Sequence, residues 1–155
     1  MDEHTKAKNK AADYLARRRL TRHELRDKLK RAGFEDGVVE DVLDISAEYG
    51  YVNDLEYAKA FIEGNRKTGK YGRHRVVLLL EHKGIDRFTI EDALAETEMD
   101  SEDEYEKLCA LIADRLCGDF SERNVGRVTR HFAARGYDFG SIRRAIRESG
   151  KEDAR

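Results

Sequence analysis

Apolar residues recur in one fixed arrangement at three places along this 155-residue chain. Each arrangement is centred on a glycine, Gly33, Gly84 or Gly136, and the intervals between these glycines are 51 and 52 residues. In every copy, apolar residues stand eight and four positions before the glycine, and one and six positions after it. The members are Leu25, Leu29, Phe34 and Val39, then Val76, Leu80, Ile85 and Ile90, then Val128, Phe132, Tyr137 and Ile142. Agreement at so many offsets indicates an internal repeat.

Each repeated glycine is predicted to join two helices. Apolar residues four positions apart are typical of a helix that buries one face. Thr21 and Glu24 have the spacing of a capping box at the start of the first such helix. A glycine after the helix suits the left-handed conformation that ends many helices. The acidic residues Asp36, Asp86 and Asp138 are expected to cap the helices that follow the glycines.

A further helix is predicted before each pair, at about 5–19, 54–68 and 102–117. Gly50 is expected to end one helix, and Asn53 or Asp54 to cap the next. Proline is absent, so glycines and capping residues are the expected helix ends. We therefore predict an all-α fold of three tandem three-helix repeats, at 1–54, 55–98 and 99–155, that form an elongated, curved array.

Composition narrows the class of protein. No apolar run approaches the roughly 18 residues that span a bilayer, and the polar start lacks the apolar core of a signal peptide, so we expect a cytoplasmic protein. The five histidines and two cysteines show no metal-ligand spacing. No phosphate-binding glycine loop or nucleophile motif is present. We expect no cofactor, no metal and no enzymatic activity.

The charge is sorted along the chain, although the net charge is only −2. Residues 4–31 contain 11 basic and 3 acidic side chains, whereas residues 35–63 contain 1 basic and 9 acidic ones. A single charged run usually marks a solvated surface, but this alternation predicts a one-sided contact with phosphates or with an acidic protein surface. The candidate contact residues are Arg17, Arg18, Arg19, Arg22, Arg26 and Lys30, followed by Arg66, Lys67, Lys70, Arg73 and Arg75. Arg26 and Lys30 are expected to point into solvent, and Arg22 to flank the buried stripe.

Two nucleic-acid-binding motifs match the sequence only in part. A helix–glycine–helix unit resembles a helix-turn-helix, but its second helix is acidic in the first two units and would be repelled by a duplex. Gly69-Lys70-Tyr71-Gly72 matches the G-x-x-G loop of KH modules, which also requires strands that the pattern does not predict. A basic connector that contacts phosphate or carboxylate remains reasonable there. Tyr71 is the expected exposed aromatic, whereas Tyr49 and the other repeat aromatics are expected to pack in the core.

Four stretches, taken in order, resemble the RecX family of bacterial recombinase regulators. They cover the chain from about residue 11 to 147, and no single stretch is specific by itself. Asn53 stands where the family usually has an aspartate, which leaves the cap intact. The stretches are Tyr14 to Leu25 with Leu29 and Gly33; Gly50 to Asp54 with Tyr57 and Ala58; Gly72, Arg73, Val76, Leu80 and Lys83 to Ile85; and Phe132, Ala134 to Tyr137 and Ile142.

The resemblance implies a function by binding. RecX-like proteins associate with RecA in its filament on single-stranded DNA, and they damp its ATPase and strand exchange. A role in recombination, DNA repair and the SOS response follows from the same resemblance. The alternative left open is direct binding of single- or double-stranded DNA through the basic helices. We expect a monomer, because no spare apolar stripe is evident.

Overall fold

The computed structural model describes residues 1–97 and 101–153. These ranges contain nine α-helices and no strand, so the predicted all-α class is confirmed for them. The predicted helices at about 5–19, 54–68 and 102–117 lie within two residues of α1, α4 and α7. The helices are α1 (Glu3–Arg17), α2 (Arg22–Arg31), α3 (Asp36–Glu48), α4 (Asp54–Thr68), α5 (Arg73–His82), α6 (Arg87–Glu96), α7 (Ser101–Leu116), α8 (Glu122–Ala134) and α9 (Phe139–Asp153).

The three repeated glycines have the left-handed backbone that the sequence predicts. The φ angles are +95° at Gly33, +87° at Gly84 and +94° at Gly136. The residue after each glycine donates its N–H to the carbonyl five positions earlier, which is the outer bond of a Schellman motif. The apolar residues of the repeated arrangement are buried, apart from Phe34, which is half-buried.

The helix starts agree with the predicted caps, with one exception. Thr21 and Glu24 form both bonds of the capping box. Asp86 accepts from the Thr89 N–H at 2.8 Å, and Asp138 accepts from the Ser141 N–H at 3.1 Å. The prediction for Asp36 is wrong. Glu35 occupies the N-cap position of α3 and makes no side-chain cap bond, because Asp36 is already the first helical residue. Asn53 caps α4, where it accepts from the Glu56 N–H.

The described chain divides into two compact units. The first unit contains Met1–Phe61 and Leu80–Ala93, and the second contains Ile62–Leu79 and Leu94–Arg155. The middle helices α4, α5 and α6 are therefore shared between the units. The predicted boundary at 54/55 stays a prediction, and the one at 98/99 lies outside the described residues. Within the described ranges, no helix has the length and apolar character needed to cross a membrane.

In the first unit, the start of α2 is joined to the turn at Gly84. The Thr21 hydroxyl donates to the Lys83 carbonyl at 2.7 Å, and Thr21 is fully buried. The Arg22 N–H donates to the Asp54 carboxylate at 2.9 Å. These two bonds satisfy polar groups at a helix start and at a glycine turn that would otherwise be buried without partners.

In the second unit, the start of α5 is joined to the turn at Gly136 in the same way. The Gly72 N–H donates to the Arg135 carbonyl at 2.9 Å, and the Arg73 N–H donates to the Glu104 carboxylate at 3.2 Å. A helix start therefore docks against the next glycine turn and against an acidic residue in both units. We call this arrangement the helix-start joint.

Candidate partner-binding surface

The first predicted contact residues follow the last turn of α1. Arg17 is its last residue, and the backbone is extended at Arg18, which stops the helix earlier than the predicted residue 19. Arg17, Arg18 and Arg19 are all exposed. Arg18 donates to Glu24 at 3.2 Å, and Arg19 donates to the Glu56 carbonyl at 3.4 Å. Arg17 thus has the most accessible charge of the three.

The predicted contact residues on α2 are paired with the acidic helix α3. Arg26 holds both oxygens of Glu40, at 2.7 and 3.3 Å. Two further pairs lie one helical turn to either side of this one. Arg22 donates to Asp44 at 2.6 Å, and the Lys30 ammonium lies 3.7 Å from Asp36, so the two helices run antiparallel along the pairs. We call these three pairs the α2–α3 ladder.

The ladder corrects the expectation that Arg26 points freely into solvent. Only 29% of its side chain is exposed, because it lies against Glu40 on α3. The hydrogen bond to Glu40 raises the pKa of Arg26, and the hydrogen bond from Arg26 lowers the pKa of Glu40. Arg22, Arg26 and Lys30 on α2 are therefore each paired with an acidic side chain on α3.

The second set of predicted contact residues surrounds the connector between α4 and α5. Arg66 donates to the Thr97 carbonyl at 2.7 Å and is half-buried. Arg75 packs against Gly136, where its backbone and Cβ fill the space beside the glycine. Lys67, Lys70 and Arg73 have exposed side chains. Arg75 is exposed as well, because only its backbone and Cβ contact the glycine, so four of the five predicted residues are exposed and Arg66 is half-buried.

The exposed aromatic pair lies at Gly50 rather than in the basic connector. Tyr49 and Tyr51 are 69% and 67% exposed, and their ring centroids are 6.0 Å apart. They border an apolar groove of about 530 Å³ between α1 and α3. The prediction that Tyr49 packs in the core is wrong, because the turn at Gly50 carries it outward. Tyr71, predicted to be exposed, is half-buried, and its N–H donates to Asn65 at 2.9 Å.

The structure also assembles a basic concavity that the sequence did not reveal. Lys70 from the α4–α5 connector lines it together with Arg115 from α7, His131 from α8 and Arg135 from the Gly136 turn. Arg115, His131 and Arg135 were absent from the predicted contact residues, because they lie far from Lys70 in the sequence and only the fold brings them together with it. Asp114 is the carboxylate in the lining. Across residues 1–97 and 101–153, no group of three or more His, Cys, Asp or Glu side chains is arranged to hold a metal.

Comparison with known proteins decides the family. Residues 7–44 match the model described as RecX, first three-helix domain, and residues 53–94 match the model described as RecX, second three-helix domain. A curated relative from Pseudomonas entomophila, named Regulatory protein RecX, is 31% identical over 98% of this chain and 96% of its own length. The chain belongs to the RecX family. The resemblance carried by the four sequence stretches is confirmed.

Other RecX proteins show the same relation. The Regulatory protein RecX of Clostridioides difficile is 30% identical over 91% of this chain. The matched part covers 66% of that relative's length. A crystal structure of RecX from Lactobacillus salivarius is similar with a TM-score of 0.83 and 25% identity, over 96% of this chain and 97% of that one. The RecX fold is therefore shared almost throughout, and the two family domains fall on α1–α3 and α4–α6.

Proposed function

We propose that this RecX chain binds the RecA filament on single-stranded DNA and lowers its ATPase, strand-exchange and coprotease activities. Membership of the RecX family over nearly the whole chain carries this proposal, since relatives of similar length are named regulatory proteins. The protein acts by binding in the cytoplasm, and serves recombination, DNA repair and the SOS response. It supplies no catalytic group of its own.

The contact surface that we propose lies within the exposed part of the predicted basic set. Arg17 in the first unit and Lys67 and Arg73 in the second have exposed side chains. Arg22 and Arg26 are engaged with α3, so their charges are screened before any partner arrives. An electrostatic contact of this kind weakens as salt rises, because exposed charges are screened beyond about 10 Å at 0.1 M.

The decisive measurement is the DNA-dependent ATPase of the cognate RecA at increasing concentrations of this protein. We expect inhibition, and weaker inhibition for Arg17→Glu and for Lys67→Glu. Arg31→Glu is the matched control, since Arg31 is an exposed arginine of α2 outside the predicted set. Unchanged ATPase activity at several-fold excess over RecA and low salt contradicts the proposal. Reversal of Arg22 or Arg26 is avoided, because it leaves Asp44 or Glu40 facing a like charge.

The second candidate function is direct binding of single- or double-stranded DNA through the same basic residues. The exposed Lys67, Lys70 and Arg73 within seven residues favour it. Arg17→Glu combined with Lys67→Glu separates the two candidates. Loss of DNA binding with intact retention on RecA and intact ATPase inhibition rejects direct DNA binding as the operating mechanism. Loss of ATPase inhibition together with DNA binding, while RecA without DNA still retains the variant, supports direct DNA binding.

We further propose that α7, α8 and α9 form a third repeat and that the chain acts as a monomer. The glycine turn and the helix-start joint recur at Gly136, which supports the third repeat. Helix α8 begins 14 residues before its glycine, whereas α2 and α5 begin 11 residues before theirs. In this extra turn, Asn124 donates to the carbonyls of Leu116 and Asp119. Sedimentation equilibrium should give a mass of 17.9 kDa. The elongated, curved array stays a prediction.

A further inference from the structure

The basic concavity of the second unit brings several charged side chains to one place on the surface. It has a volume of about 500 Å³, which lies in the range of small-molecule sites. Three permanent cations, Lys70, Arg115 and Arg135, line it with one carboxylate, Asp114. These groups come from three separate segments of the chain, so their convergence is a product of the fold.

The backbone that presents these cations is fixed by contacts inside the unit. The Arg135 guanidinium donates to the Lys70 carbonyl at 3.2 Å, which ties the α4–α5 connector to the end of α8. The Tyr137 hydroxyl donates to the Gly69 carbonyl at 2.6 Å. Gly69 has a φ of +65°, and a Cβ there would lie 2.9 Å from the Leu111 side chain. A site held by such supporting contacts binds with less ordering cost.

His131 lies in the same concavity and reports its electrostatic potential. Its pKa is lowered by burial and by the positive charges of Arg115 and Arg135. Lys70 lines the site as a further cation, and Asp114 as the opposing carboxylate. Burial disfavours a charge of either sign, but the part of the shift that comes from Arg115 and Arg135 reflects a positive potential, which favours an anion.

We propose that this concavity binds a phosphate group, carried by a nucleotide or by a single nucleic-acid strand, with Lys70, Arg115 and Arg135 as its ligands. Convergent cations with planar arginine forks suit the several oxygens of a phosphate group. Leu111, which is half-buried, supplies apolar surface beside the cations, against which a sugar or base packs. This site does not depend on RecA, and it is tested on the protein alone.

Binding of the anion is coupled to a proton. The negative charge offsets the field of Arg115 and Arg135, so it raises the pKa of His131 toward its usual value. For a phosphodiester, whose charge is constant, affinity therefore increases as the pH falls through the titration range of His131. A phosphate monoester loses its second negative charge at about pH 6, which acts in the opposite direction. Asp114 is the carboxylate that faces the anion and opposes its binding.

The test is an NMR titration of the five histidine side chains, with His131→Gln to assign the His131 signal. The probes are inorganic phosphate, adenosine monophosphate, a thymidine dodecanucleotide and a glutamate oligopeptide at constant ionic strength. We expect a shift of the His131 signal and a raised pKa with the phosphate-bearing probes. Equal dissociation constants for adenosine monophosphate and the oligonucleotide identify a nucleotide site. A much lower dissociation constant for the oligonucleotide identifies a site for a single strand.

Variants decide whether the concavity is responsible. Arg115→Gln is expected to weaken phosphate-probe binding by about tenfold, as loss of a charge-assisted contact does. Arg123→Gln is the matched control, because Arg123 is an exposed arginine of α8 outside the lining. Equal losses in both variants, a silent His131 signal at saturating phosphate, or tighter binding of the glutamate peptide each overturn the proposal. The last result assigns the concavity to an acidic protein segment instead.

Discussion

Alanine at Gly84 should destabilise the protein much more than alanine at Gly33, although both glycines end a helix in the same unit. Their φ angles are +87° and +95°, so both substitutions place an L-residue in a similar left-handed backbone. The surroundings differ. A Cβ on Gly84 would lie 2.2 Å from the His23 Cβ and 2.4 Å from its Cγ, whereas a Cβ on Gly33 meets nothing within 4 Å.

The expected magnitudes follow from these two environments. The left-handed backbone costs a side chain about 1–2 kcal/mol, and the stiffer unfolded chain offsets roughly 0.4–1 kcal/mol of this. Gly33→Ala should therefore cost about 1 kcal/mol. Gly84→Ala adds the cost of overpacking, roughly 1–3 kcal/mol, since the His23 Cβ is bonded to the backbone and cannot rotate away. Its total should reach about 2–4 kcal/mol.

The measurement is urea unfolding followed by circular dichroism at 222 nm, with the free energy of unfolding taken from the midpoint and the slope. A double-mutant cycle with position 23 isolates the contact. His23→Gly removes the clashing Cβ and should recover part of the loss in Gly84→Ala. His23→Ala keeps the Cβ and should recover little.

Equal destabilisation by Gly33→Ala and Gly84→Ala would refute the reasoning, because it would mean that backbone strain alone sets the cost. Absence of any recovery by glycine at position 23 would have the same meaning. Either result would also remove the main support for the helix-start joint as a tightly packed contact.

Three further predictions concern a helix cap, an ion pair and a residue with left-handed backbone. Thr21→Val should cost about 2–3 kcal/mol in urea unfolding, because it removes the cap and leaves the Lys83 carbonyl buried without its donor. The exposed cap variant Ser121→Ala should cost only about 1 kcal/mol. A double-mutant cycle of Arg26→Gln and Glu40→Gln should give a coupling of about 0.5 kcal/mol at pH 7, given the partial exposure of both side chains. Because the pKa of Glu40 is lowered by folding, this coupling is present above pH 4.5 and disappears as the pH falls below it; coupling that persists at pH 2 contradicts the assignment. Cys117→Gly should raise the urea midpoint, because Cys117 has a φ of +49°; a lowered midpoint would show that its thiol contact to the Asp114 carbonyl outweighs the strain.

The sequence predicted the local structure of each helix junction well, and for a definite reason. A glycine turn, a capping box and an apolar stripe each depend on residues within about ten positions of one another. The turns at Gly33, Gly84 and Gly136 and the capping box of Thr21 could therefore be inferred without any tertiary information. The wrong cap at Asp36 differs from the observed N-cap by one residue, which is the usual uncertainty at a helix end.

The candidate surface was predicted less well, because charge patterns do not reveal which residues lie opposite one another. The sequence showed that α2 is basic and α3 is acidic, but not that Arg26 and Glu40 lie side by side. Packing of the two helices brings the pairs together and partly buries Arg22 and Arg26 of the first predicted cluster against α3. The outward turn of Tyr49 is a similar result of packing.

By itself, the sequence determined that this is an all-helical RecX protein with recurring glycine turns, since short-range patterns and order along the chain carry that information. Only the tertiary structure decided which charges remain available. Lys70, Arg115 and Arg135 are separated by up to 65 residues, and they converge on one concavity because the helix-start joint brings the α4–α5 connector to the end of α8. Long-range convergence depends on packing geometry, which no local pattern specifies.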